Sequence, residues 1–265
     1  MPHPVATVLP ARAQALLDAV APHGSWSGPY GVVRLELDVA DGAVESHDVR
    51  FGPAGAALDA GADPQAVLRL PLADALEIVA GRADGALLYL SGVLRIRGDE
   101  ALVLGLGQAL VLPGAEQALV DPRALDPVAV SRAIVGVPLE HLAAVMAGGF
   151  RSLVLGEVFS RLPEFLIEEK AARVAVTVGF SIGGRPDGGT DRYVVRIRHG
   201  VCTVQAGTAA DEPVDATLVL EGHEFLRLVL GHLNPVRGVL SGDIRVQGQL
   251  VKALGFNSVM RIPGS

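Results

Sequence analysis

The chain has 265 residues, half of them apolar, and a formal charge of −7 with a pI near 5.5. An acidic chain whose only lysines are Lys170 and Lys252 excludes a phosphate-binding nucleic-acid surface. The single cysteine, Cys202, excludes a disulfide framework and any multi-cysteine metal site.

The chain starts "MPHPVATVLPARAQALLDAV", without a basic segment and with Asp18 inside its apolar stretch, so it reads as no signal peptide. Within it "RAQALLDAV" (12–20) has helical spacing. The strand-like "VVRLE" (32–36) follows, echoing "VVRIR" (194–198), and in this first region the glycine-rich turn and one strand read as missing or degenerate. The longest oily run, "ALVLGLGQALVLPG" (101–114), is shorter than the roughly 20 residues that cross a bilayer, so no membrane span is expected. The chain end, "RIPGS", is not a peroxisomal address, and a cytoplasmic location is expected. A Pro-rich joint follows at 112–127, then a helical stretch, 128–169.

Beyond it, "ARVAVTVGFSI" sets Val174, Val176, Val178 and Phe180 on one face, and "DRYVVRIRHGVCTVQAG" does the same with Tyr193, Val195 and Ile197. The turn-rich "GGRPDGG" (183–189) joins them, predicting a meander of about three strands. Next come a strand (216–222), an amphipathic helix (223–232) stopped by Gly231, and a short helix capped by Asn234 with Pro235 in its first turn. A half-wet strand, "DIRVQG", and a last helix, "QLVKALGFNSVM", complete the run.

Part of this is written twice. At an offset of 150, residues 66–105 and 216–255 agree at 13 of 40 positions without a gap, including Leu90-Ser91-Gly92 with Leu240-Ser241-Gly242, and Gly98 with Gly248. The expected organisation is two tandem units, 1–113 and 128–265, joined by a linker at 114–127.

Candidate chemistry is sparse. His223, Glu224 and His232 have no metal-site spacing; His223 is expected to cap its helix and His232 to sit at the helix C-terminus. Glu168 and Glu169 precede Lys170 as a solvated charge run, and "LGLGQAL" (104–110) lacks a dinucleotide-loop pattern. Cys202 lies in an apolar strand and reads as packing. No metal and no cofactor is expected; the ionisable groups left for catalysis are His223, Glu224 and Tyr193.

The stretch "GHLNPVRGVLSGDIRVQGQ" (231–249) resembles the sterol carrier protein 2 family. The likeness runs back through "EPVDATLVL" and "GRPDGGTDRYVVRIRHGVCTV" to "EVFSRLPEFL", and forward to "FNSVMRIP", about 130 residues. The first unit shares it only from about 65 to 110, with Ala83, Asp84 and Gly85 in place of "LNP"; the second departs at Asp243 and Gln249. The resemblance implies an α+β fold, in each unit a mainly antiparallel sheet of about five strands covered by helices. In the second unit it implies an apolar tunnel for a sterol, fatty acid, acyl-CoA or similar lipid. The lining would come from Phe159, Leu162 and Phe165 ahead of the sheet, and from Val176, Val178 and Phe180 on the first strand. Phe225, Leu226, Val229 and Leu230 would add to it, then Leu233 and Val239, then Leu250, Leu254, Phe256 and Met260 from the last helix. The rival expectation is an enzyme, an isomerase, cyclase or hydratase of an apolar polyketide or steroid, using the same cavity. Homodimerisation is left open.

Overall fold

Alternating apolar residues build the first sheet. The computed structural model describes residues 28–53, 55–59, 61–111, 118–207 and 213–263; the helix expected at 12–20 and residues 112–117 of the joint lie outside them. The chain divides into two compact units, Met1–Ala124 and Leu125–Ser265. In the first, β1 (Gly31–Asp38), β2 (Val44–Gly52), β3 (Gly55–Leu58), β4 (Ala66–Pro71) and β5 (Arg95–Gly98) form one sheet in the order β3-β2-β1-β4-β5. Helices α1 (Leu72–Val79) and α2 (Gly85–Leu90) connect β4 to β5, and α3 (Glu100–Ala109) follows. The core gathers Val33, Val49 and Phe51 of the sheet with Leu102 and Leu106 of α3.

The second unit starts with four helices, α4 (Pro127–Ala133), α5 (Leu139–Ala147), α6 (Phe150–Arg161) and the short α7 (Glu168–Ala171), with a 3-10 turn at Leu162–Phe165. The sheet then takes β6 (Ala175–Gly183), β7 (Asp191–Arg198), β8 (Val201–Ala206), β9 (Ala216–Glu221) and β10 (Ile244–Gly248) in the order β10-β9-β6-β7-β8. Between β9 and β10 lie α8 (Gly222–Val229) and α9 (Pro235–Ser241), and α10 (Leu250–Ser258) follows β10. The Asn234 side chain accepts from the Val236 and Arg237 amides at 3.0 and 3.1 Å, the cap expected from the sequence.

The sheets are mainly antiparallel, as expected, but each holds one parallel pairing: β1 runs parallel to β4 and β6 parallel to β9, with Val33 opposite Ala66 and Val178 opposite Ala216. Period-2 patterning marks a strand and its wet face but not the direction of its neighbour. The first unit's remaining strand, expected as missing or degenerate, is not missing: the short β3, four residues long, completes the five. "VVRLE" is in the first strand of its sheet, whereas "VVRIR" is in the second strand of the other, so that echo is not a structural correspondence.

Each sheet is tied at one residue, Gln65 in the first unit and Asp215 in the second. The Asp215 amide donates to Thr177 O (2.8 Å), its carboxylate accepts from Thr177 N (2.8 Å), and its carbonyl accepts from Gln249 N (2.9 Å). Gln65 repeats the pattern with Val32 and with Asp99. Gly248 crosses that carbonyl at φ +92°, where an added Cβ would stand 2.7 Å from Asp215 O; Gly98 crosses Gln65 O in the same way. Only glycine combines a left-handed φ with such an approach. Gly242, at φ +90°, has nothing within 4 Å.

Arg151, 6% exposed, joins α6 to the sheet. Its guanidinium donates to Asp191 Oδ2 (2.6 Å), Met146 O (2.7 Å) and Ile182 O (2.7 Å).

Urea unfolding of the second unit's glycines should separate strain from clash. Gly242→Ala costs the left-handed strain alone, about 1 kcal/mol, and Gly248→Ala loses about 1–3 kcal/mol more through overpacking; equal losses would contradict the close approach. Arg151→Met, which abandons Asp191 and two carbonyls, should cost about 3–5 kcal/mol. Arg185→Met, removing the more exposed partner of Asp191 at 3.2 Å, should cost far less, since an exposed ion pair is screened by solvent.

Candidate functional site

On β6, Val176, Val178, Phe180 and Ile182 alternate onto the face that the helices cover, and all four are buried. Phe180 is the hub of an aromatic cluster. It meets Phe159 of α6, Phe225 of α8 and Phe256 of α10 edge-on, with centroids 5.5, 5.9 and 5.8 Å apart. Phe159 stacks on Phe225 at 5.1 Å and on Tyr193 of β7 at 3.7 Å. Tyr193 also lines an open cleft of about 440 Å³ with Thr190, Asp191, Arg192, Ala206 and Gly207. Burial, and secondarily the charge of Asp191, raises the Tyr193 phenol above its usual range.

The expected lining residues distribute unevenly. Leu226, Leu230 and Leu233 are buried with the phenylalanines, and Leu162, Phe165, Val229, Val239 and Met260 are half-buried. Leu250 and Leu254 depart from the expectation, at 45% and 38% exposed. The helix α10 turns Ala253 and Phe256 inward, which leaves positions 250, 251 and 254 on the opposite stripe. The chain beyond α10 is pinned to the segment after α6: Ile167 N donates to Val259 O (2.8 Å) and Arg261 N to Phe165 O (2.7 Å).

The ionisable candidates serve other groups. Glu224 is 6% exposed and accepts from Arg227 at 2.8 Å, with His223 Nε2 3.3 Å from its other oxygen. His223 does not cap α8: the cap position is Glu221, with no side-chain cap bond, and the imidazole turns to Glu224 instead. His232 does lie just past the end of α8, where its ring joins Ser131 of α4, 2.9 Å from the carbonyl and 3.1 Å from the hydroxyl. Burial pushes the half-buried Cys202 thiol up to about 11. Among the described residues no three His, Cys, Asp or Glu side chains gather as metal ligands, and no single helix is long and apolar enough to cross a membrane.

Arg151 and Asp215 escaped the sequence reading. Arg151 shares its helix with Glu157 and Arg161, so nothing in the sequence marks it as the buried one, and Asp215 is indistinguishable by sequence from a solvated aspartate.

Comparison with known proteins bears on this same region. The model of the SCP-2 sterol transfer family matches residues 159–261. Sterol carrier protein 2 of Gallus gallus is 28% identical over 129 residues, 49% of this chain and 23% of that protein. Sterol carrier protein 2 of Homo sapiens is 25% identical over 118 residues, 44% of this chain and 21% of the human one. The chain thus spans under a quarter of the length of these two curated relatives. A solved structure, the sterol carrier protein domain 2 of Helicoverpa armigera, shares 23% identity over 38% of this chain and 83% of that one, with a TM-score of 0.31. Residues 159–261, the stretch similar to the SCP-2 sterol transfer family, carry every ring of the cluster around Phe180.

Proposed function

We propose that the C-terminal unit binds and transfers an apolar lipid, a sterol, fatty acid, acyl-CoA or similar molecule, held between its sheet and the helices α6, α8 and α10. The supporting observation is that the family match and the aromatic cluster fall on the same residues. A guest chain gains about 0.8 kcal/mol per buried methylene. Each ring pair it parts gives up roughly 0.5–1.5 kcal/mol beyond area burial. A chain of about ten methylenes therefore outweighs the loss of a few ring contacts, with no catalytic group required. In this proposal residues 128–265 form the binding unit of a cytoplasmic carrier, 114–127 the linker, and 1–113 a degenerate copy.

The enzyme alternative needs an ionisable group aimed into the apolar space. Of its three candidates, Glu224 and His223 pair with each other and Glu224 also with Arg227, while Tyr193 stacks on Phe159. Nothing in that geometry favours it over the carrier.

Native mass spectrometry of protein purified from cells should show a lipid mass, and fluorescent fatty acid should be bound and displaced by unlabelled lipid. A clean apo mass with no fluorescent binding would sink the proposal. Leu226→Asp places an unpaired carboxylate in the core and should abolish binding or folding; Phe225→Leu, which keeps the position apolar, should weaken binding severalfold with the wild-type circular dichroism retained. Because its thiolate is scarce, native Cys202 should react with iodoacetamide at neutral pH at least about tenfold more slowly than after unfolding. Equal rates would contradict its burial.

A further inference from the structure

Strand pairing matches the two sheets position by position. Val33 lies opposite Ala66 in the first as Val178 lies opposite Ala216 in the second. Along the neighbouring strand, His47 then faces Leu35 where Tyr193 faces Phe180, and Glu45 faces Leu37 where Asp191 faces Ile182. The matched positions are used differently. In the second unit Tyr193 stacks on Phe159, and Asp191 takes guanidinium groups from Arg151 at 2.6 Å and Arg185 at 3.2 Å. The first unit keeps the carboxylate without the arginines.

Because β2 alternates, Glu45 and His47 share the inward face with Val49 and Phe51, which meet α3. Their side chains are 12% and 21% exposed, and Glu45 Oε1 and His47 Nε2 are shut from solvent without a hydrogen-bond partner. The approach between the two residues, His47 Nε2 to Glu45 Oε2, is 3.6 Å, too long for a hydrogen bond. The arginines of this sheet are engaged elsewhere, Arg34 with Asp48, Arg50 with Asp59, Arg69 with Asp38 and Arg97 with Glu36. Buried polar atoms are nearly always matched, and an unmatched one costs stability. Two of them side by side on an apolar face point to a bound group.

We propose that Glu45 and His47 bind the ammonium group of a primary amine. Among the described residues no third His, Cys, Asp or Glu joins them, which leaves a metal ion short of the three or four protein ligands it takes. A hydroxyl brings no charge to set against the carboxylate. A primary ammonium carries three donors and no acceptor, so it reaches the carboxylate oxygen and the imidazole nitrogen together. It does for Glu45 what the Arg151 guanidinium does for Asp191. The cross-strand neighbours Leu35 and Leu37 are apolar, which suits an amine carried on a hydrocarbon stem. The inference does not depend on whether the second unit carries lipid.

Calorimetric titration of the full chain with n-butylammonium chloride tests it, with trimethylbutylammonium as a probe of equal charge and no N–H donor. Butylammonium should bind, and the trimethylated probe at least about tenfold more weakly. Glu45→Gln and His47→Phe should each weaken butylammonium binding at least about tenfold, with fluorescent fatty acid binding and circular dichroism at the wild-type level. The unfolding midpoint of Glu45→Gln, measured without amine, should equal or exceed that of the wild type, because the carboxylate has no partner to lose. A lower midpoint would show the carboxylate already matched within the chain and overturns the proposal. So does an absence of butylammonium binding, binding that Glu45→Gln leaves unaltered, or equal binding of the trimethylated probe. Zn²⁺ uptake that both variants abolish, in protein that ignores butylammonium, overturns it in favour of a metal.

Discussion

The second unit is organised around one carbonyl oxygen, that of Asp215. The residue before β9 gives its amide and its carboxylate to the two backbone groups of Thr177, and its carbonyl to the amide of Gln249. Three segments far apart in sequence, the start of β6, the start of β9 and the end of β10, therefore meet at one point. Glycine at 248 is the condition for this, since any Cβ would intrude on the same oxygen. Because α10 starts directly after that junction, the junction also sets where Phe256 descends on Phe180. The repeated motif at residues 98 and 248 is thus the chemistry of a crossing, written once for each sheet.

With the framework constant, the two units differ in what fills and covers it. The first core joins aliphatic side chains of α3 to the sheet, and a hydrogen bond secures α2 to α3. The second places a ring from each of three helices against one sheet phenylalanine and leaves the corresponding helix pair without a polar tie. Edge-on rings hold each other by weak, directional contacts. An interior of this kind exchanges its own contacts for those of a hydrocarbon at smaller cost than one of interlocked aliphatic chains fixed by polar bonds.

How much of this the sequence disclosed depends on how local each feature is. The elements of the second unit, the Asn234 cap and the three-strand meander are set by neighbours in the chain and were legible, whereas the crossing of Gly248 over Asp215 O joins distant segments and was not. Neither is the parallel pairing of β6 with β9, because a strand buried on the helix face looks alike whichever way its neighbour runs. Nor was the outward turn of Leu250 and Leu254 legible: an apolar helix shows which residues are oily, not which stripe its anchoring ring will choose. Buried Arg151 was hidden for a further reason. Its partners are two backbone carbonyls and a carboxylate from another element, none of which leaves a trace near residue 151.

On the proposal that this unit carries a lipid, the same geometry puts selectivity in volume rather than in polar recognition. Among the described residues of the second unit the buried charges are matched within the protein, Arg151 by Asp191 and two carbonyls, Glu224 by Arg227 and His223. Taking either charge for a ligand would leave its partner buried and unpaired, a loss of several kcal/mol by the general cost of breaking buried pairs, about 3–5 kcal/mol. A guest that brings only hydrocarbon meets no such penalty. It competes with rings, and is sorted by how much of it fits once they part, a discrimination worth only about 1–3 kcal/mol per methylene. The fold on this argument suits a class of apolar molecules graded by size, with any polar end left toward the cleft beside Tyr193, where Thr190 and Arg192 stand in reach of water.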